Sequence, residues 1–180
     1  LIKGSFVPDV AIQRLRQYNR RIFDLNKDIS YKLTKLDMAL QRCNIRISNY
    51  ISSTDSKSYK KVVEKLASGL TDPQELEKCI HGRTVNRFGK DIITASLTGV
   101  INETDIDIMS QLKSEIDLAE RHKSECLMKM REICMENYPE QLENIKSIPG
   151  IKEQSATSII AEVGVDMKMF LTAAAIVSWC

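Results

Sequence analysis

Apolar positions fall three and four residues apart over two long stretches of the chain. In the first, Leu15, Tyr18, Ile22, Leu25, Ile29, Leu36, Ala39 and Cys43 form a seam that only Lys32 interrupts. In the second, Met109, Leu112, Ile116, Ala119, Cys126, Met130 and Ile133 do the same, with Lys123 in register. Heptad spacing of this length is the signature of a coiled coil or a bundle helix. It predicts one long helix from about Asp9 and another after Asn102, ending before Pro139. A lysine at a core position lowers stability while fixing register and partner number.

Between the long helices the pattern breaks into short pieces. Ile45, Ile47 and Tyr50–Ile51 suit a short extended segment. The polar run 52–56 offers N-caps for a helix over about 56–68, which Gly69 ends. Asp72-Pro73 starts another, with Asp as cap and Pro in the first turn. One more helix is expected over about 84–97, stopping near Gly99. This is a compact helical insert over about 45–101. After the second long helix come a short helix at about 140–146, the turn Ile148-Pro149-Gly150-Ile151, a small-residue helix over about 155–163 and a last helix over about 172–179.

The expected fold is therefore all-α: two long antiparallel coiled-coil helices (9–138), the insert, and a C-terminal helix-hairpin-helix opening a domain at 140–180. Residues 1–8 read as an extended lead-in. Leu1 at the start, and Cys180 inside an apolar run at the end, read as cuts in a longer gene product. The seams pack either inside one subunit or across two. Exposed seams of this length would be an apolar liability, so a homodimer or higher assembly is expected. Leu15, Tyr18, Ile22, Leu25, Ile29, Met109, Leu112, Ile116, Met130 and Ile133 are the candidate dimerisation residues.

Composition changes little: 43% hydrophobic and 28% charged residues suit a folded soluble protein, and Gly and Pro are scarce at 7 and 4. Charge changes more. Residues 1–102 hold 18 Lys and Arg against 10 Asp and Glu; residues 103–180 hold 8 against 14. A basic half points to a polyanionic partner, and Arg14, Arg16, Arg20 and Arg21 on the first helix are candidate nucleic-acid contacts. The rival reading is a helical protein-interaction scaffold, with the basic helix facing the acidic one. Five cysteines without a CxxC pair suit reduced thiols acting as small hydrophobes, and a cytoplasmic location. His122 and Cys126, four apart, supply only two metal ligands. Glu103, Asp105 and Asp107 occupy a first helical turn, where acids favour the positive helix end. No stretch is apolar for long enough to span a membrane.

The C-terminal hairpin supplies the remaining chemistry. A turn followed by a helix N-terminus presents backbone N–H groups that hold a phosphate without reading sequence. Pro149, Gly150, Ile151 and Lys152 are the candidate DNA contacts. Such hairpins usually read Gly-Ile-Gly; here Lys152 adds charge and removes the closer backbone approach of a second glycine.

SIPGI…SATSIIAEVG…MFLTAAAIVSWC resembles the start of the C-terminal domain of the insertion-sequence family one-hundred-ten transposases, bacterial DEDD recombinases that use a bridge RNA. GLTDPQELEKCI resembles the family's Gly-x-x-Asp-Pro segment between two long helices, and Ser178-Trp179 its Ser-Trp helix end. The likeness is strong over 145–180, moderate over 51–80 and architectural elsewhere. It implies a fragment of a recombinase that moves an insertion sequence, with DNA and a structured guide RNA as partners. It also implies that the four acidic ligands for magnesium lie in a RuvC-like domain upstream, and the nucleophilic serine downstream. Ser178 lies too early to match that serine, so this piece is expected to carry no catalytic residue and no cofactor of its own.

Overall fold

Helix α1 (Val10–Arg42) starts where Asp9 can cap it: the Asp9 carboxylate accepts the Ile12 N–H at 2.9 Å. The computed structural model describes residues 8–170 and 172–179; the expected lead-in, Pro8 apart, and Cys180 lie outside them. All regular structure among the described residues is helical.

Just past α1, Asn44 takes the left-handed conformation (φ 64°). The expected extended piece then proves to be a 3-10 turn, Ile47–Asn49, with Ile45 and Ile47 buried. The alternation was real, but only two of its apolar residues needed burial, and a tight turn achieves that. α2 (Lys57–Ala67) is capped by Ser56, whose hydroxyl accepts the Tyr59 N–H at 3.3 Å. α3 (Pro73–Glu77) is capped by Asp72 with Pro73 in its first turn.

The single helix expected over 84–97 is two helices, α4 (Gly82–Phe88) and α5 (Lys90–Ser96). Gly89 divides them at φ +90°, ψ 144°, a conformation that side chains rarely permit. His81 caps α4 through Nδ1, a residue type outside the usual capping set.

α6 (Glu103–Asn137) opens on a reciprocal cap: the Asn102 N–H donates to Asp105, and the Asp105 N–H donates to the Asn102 side-chain oxygen. Asp105 thus works as a helix cap. α7 (Pro139–Lys146), α8 (Glu153–Val163), a 3-10 turn (Met167–Met169) and α9 (Ala173–Trp179) follow among the described residues.

The chain forms two compact units. The first is discontinuous, built from residues 1–26 and 121–180. Its core joins Ile12, Leu15 and Ile22 of α1 to Met130, Ile133 and Cys134 of α6, Leu142 of α7, and Ala156, Ile160 and Ala161 of α8. Tyr138 donates its hydroxyl to Asp9 at 2.6 Å, bringing the start of α1 to the end of α6. The second unit, residues 27–120, includes Tyr59 in its core. That side chain is fully buried, with its hydroxyl 3.1 Å from Asp37. Burial, and then the Asp37 charge, push its pKa far up, so it stays a neutral donor. Lys32, which interrupts the first seam, is half-buried and pairs with Glu115. No helix among the described residues is long and apolar enough to cross a membrane.

Candidate nucleic-acid interface

The C-terminal hairpin grows from α7 and α8, which pack on each other and on the first unit's core. The turn between them closes with the Ile151 N–H donating to the Ile148 carbonyl at 3.1 Å. Pro149 and Gly150 are its central residues, and Gly150 has φ +90°. Proline first and a positive-φ glycine second is the pattern of a type II turn. Ile148, Pro149, Gly150 and Lys152 are exposed at its tip, and Ile151 is half-buried against the core.

The first backbone bond of α8 runs from the Ala156 N–H to the Lys152 carbonyl. No side chain caps the helix at Lys152. The amides of Glu153, Gln154 and Ser155 are therefore open to an outside acceptor. Glu153 would repel a phosphate there, but its carboxylate takes the Arg131 Nε–H at 2.9 Å. Lys152 is exposed and enters no ion pair among the described residues.

The opposite end of α8 explains Arg16. Its Nε donates to the Ala161 carbonyl at 2.9 Å and its Nη2 to the Glu162 carbonyl at 3.0 Å. A guanidinium on the last carbonyls of a helix satisfies orphan acceptors and opposes the helix dipole. Asn19 adds a second tie, donating to Glu162 at 2.7 Å and accepting from Ser158 at 3.0 Å. Arg16 thus acts as a fastener for α8. Replacing it with alanine should lower stability by about 1–2 kcal/mol, the scale of charged hydrogen bonds near a surface. Urea titration checks this, and an unchanged midpoint would remove the fastener role. Arg14, Arg20 and Arg21 are exposed and enter no ion pair among the described residues.

Leu15, Ile22, Met130 and Ile133 belong to the first unit's core, and Tyr18 is half-buried against it. Leu25, Ile29, Met109 and Ile116 are buried, and Leu112 is half-buried. Among the described residues no three His, Cys, Asp or Glu side chains converge on a point that could hold a metal ion. Cys126 and Cys134 behave as hydrophobes: burial raises the pKa of both, that of Cys134 to about 11.

The stretch that forms this hairpin is also where the chain meets a known family. Residues 142–180 match the family model for the transposase IS116/IS110/IS902 family. The match takes in most of α7 and all of the turn, α8 and α9. No curated protein and no solved structure matches the chain. The sequence pattern had marked the turn and Lys152, and the structure places them at one exposed tip. It had given no sign of Arg131, which neutralises Glu153 from another helix.

Proposed function

We propose that this chain is part of a DNA transposase of an insertion sequence, and that the α7–α8 hairpin holds the DNA backbone without performing catalysis. The observation that carries this reading is the coincidence of the transposase-family match with an exposed turn and an uncapped helix start beside an unpaired lysine. Open amides with one added cation suit a phosphate oxygen and carry no base readout. The exposed Arg14, Arg20 and Arg21 extend the positive surface available to a polyanion. A structured guide RNA, magnesium in an upstream domain and subunit association belong, on this reading, to the whole protein.

The scaffold reading required the acidic helix to engage the basic one. One such contact exists, Glu115 of α6 with Lys32 of α1, while Glu120 pairs with Lys60 of α2; Arg14, Arg20 and Arg21 enter no ion pair among the described residues, which supports the nucleic-acid reading.

The test is duplex binding by the 180-residue chain over a salt series. Affinity should fall steeply with salt, and Lys152→Glu should weaken it about tenfold while lowering the salt slope by roughly 1. Failure of the wild-type chain to bind duplex at low salt would remove the proposal for this piece.

A further inference from the structure

The second unit contains a cleft that the hairpin reading does not use. The 3-10 turn Ile47–Asn49 delivers Tyr50 against Phe88 at the end of α4, edge to face, with ring centroids 5.2 Å apart. Arg87 lies over the Phe88 ring at 5.0 Å. Together with Asn49 and Arg83 these residues line a cleft of about 350 Å³, within the roughly 300–1,000 Å³ range of ligand sites. A second cleft shares Asn49 and Tyr50 with it and adds Arg46. No Asp or Glu lines either one. Arg46, Arg83 and Arg87 are exposed, and none enters an ion pair among the described residues.

Three guanidinium groups without an ion-pair partner among the described residues thus surround two half-exposed rings, and no carboxylate lines either cleft. The arrangement suits a ligand that carries phosphate and a flat ring together. Arginine forks match phosphate oxygens in pairs. Exposed aromatic faces and a guanidinium plane stack a base, and an asparagine amide can bond its edge. A paired duplex keeps its base faces stacked inside and cannot use the rings. An acidic peptide would use the arginines and leave the aromatic faces unmatched.

We infer that this double cleft binds unpaired nucleotides, with Arg46, Arg83 and Arg87 on the phosphates and Tyr50 and Phe88 stacking the bases. The site is separate from the hairpin and does not rest on the hairpin's role.

The experiment is fluorescence anisotropy with the full 180-residue chain. The probes are a short oligouridylate, an oligothymidylate of equal length and a blunt duplex. The double variant Arg83→Ala/Arg87→Ala should weaken single-strand binding about tenfold and lower its salt slope by about 1.4, the release expected for two phosphate contacts. It should leave duplex binding within about twofold of wild type, whereas Lys152→Glu does the reverse. Phe88→Leu should weaken single-strand binding at least about fivefold with the slope unchanged, because it removes stacking and no charge. Both arginines are exposed, so the double variant should retain its melting temperature by circular dichroism. Tighter binding of oligouridylate than of oligothymidylate identifies RNA as the occupant through its 2′-hydroxyls; equal binding identifies any unpaired strand. The inference is overturned if the wild-type chain fails to bind either single strand at low salt. It is equally overturned if the double variant binds them unchanged, or if single-strand and duplex binding fall together.

Discussion

Leu15→Ala should destabilise the chain by about 2–5 kcal/mol, the cost of emptying a buried leucine site that cannot collapse fully. Leu15 has no exposed surface and sits in a cluster with residues of α6, α7 and α8. The unfolding midpoint should not depend on protein concentration, because the partners of Leu15 are in its own chain. A midpoint that rises with concentration would show that subunit association also stabilises the chain. The same variant should loosen the hairpin, since Ala156, Ile160 and Leu142 share that cluster. Duplex affinity should therefore fall although Leu15 touches no nucleic acid.

Gly99→Ala should cost about 1–3 kcal/mol or more, through overpacking against atoms that cannot move aside. A Cβ added at Gly99 would lie 2.1 Å from the Cys43 carbonyl oxygen and 2.8 Å from Ile45 Cγ1. That oxygen also accepts the Val100 N–H at 3.0 Å, so moving it breaks a backbone bond. Gly82→Ala is the natural comparison. Nothing lies within 4 Å of a Cβ there, its φ is not positive, and the residue is the first of α4. It should be neutral or stabilising by up to about 1 kcal/mol. Urea denaturation of the two variants side by side checks both. Equal midpoints would mean that the Gly99 backbone can shift at no cost.

Gly99 illustrates which features could be read in advance. From the sequence it was a helix stop. Its close approach to Cys43 involves residues more than fifty positions apart, and local pattern carries nothing of that kind. The long helices were legible because burial on one face imposes a period, and Leu15, Ile22, Met130 and Ile133 kept it. The period does not say what covers the face. The same limit explains Arg16, whose acceptors lie 145 and 146 residues away. Along the sequence it is one arginine among Arg14, Arg20 and Arg21. The break at Gly89 was hidden because Val85, Ile92 and Ile93 continue a helical apolar pattern on both sides of it. The hairpin tip was legible because Pro149-Gly150 dictates its turn locally. The arginine–aromatic cleft was not, since Tyr50 and Phe88 meet only after two separate turns are in place.

The hydrogen bond from Tyr138 to Asp9 has a consequence for the order in which the chain is made. The two residues are 129 positions apart, and the segment 27–120 is synthesised between the two parts of the unit they close. At roughly 5–20 residues per second, the N-terminal half of α1 waits about 5–30 s for its partners. During that interval Ile12, Leu15 and Ile22 have none of the α6, α7 and α8 residues that later cover them. The inserted segment holds all of its own sequence before then. Residues 27–120 can thus be completed on the ribosome while the hairpin-bearing unit waits for residues 121–180 to emerge.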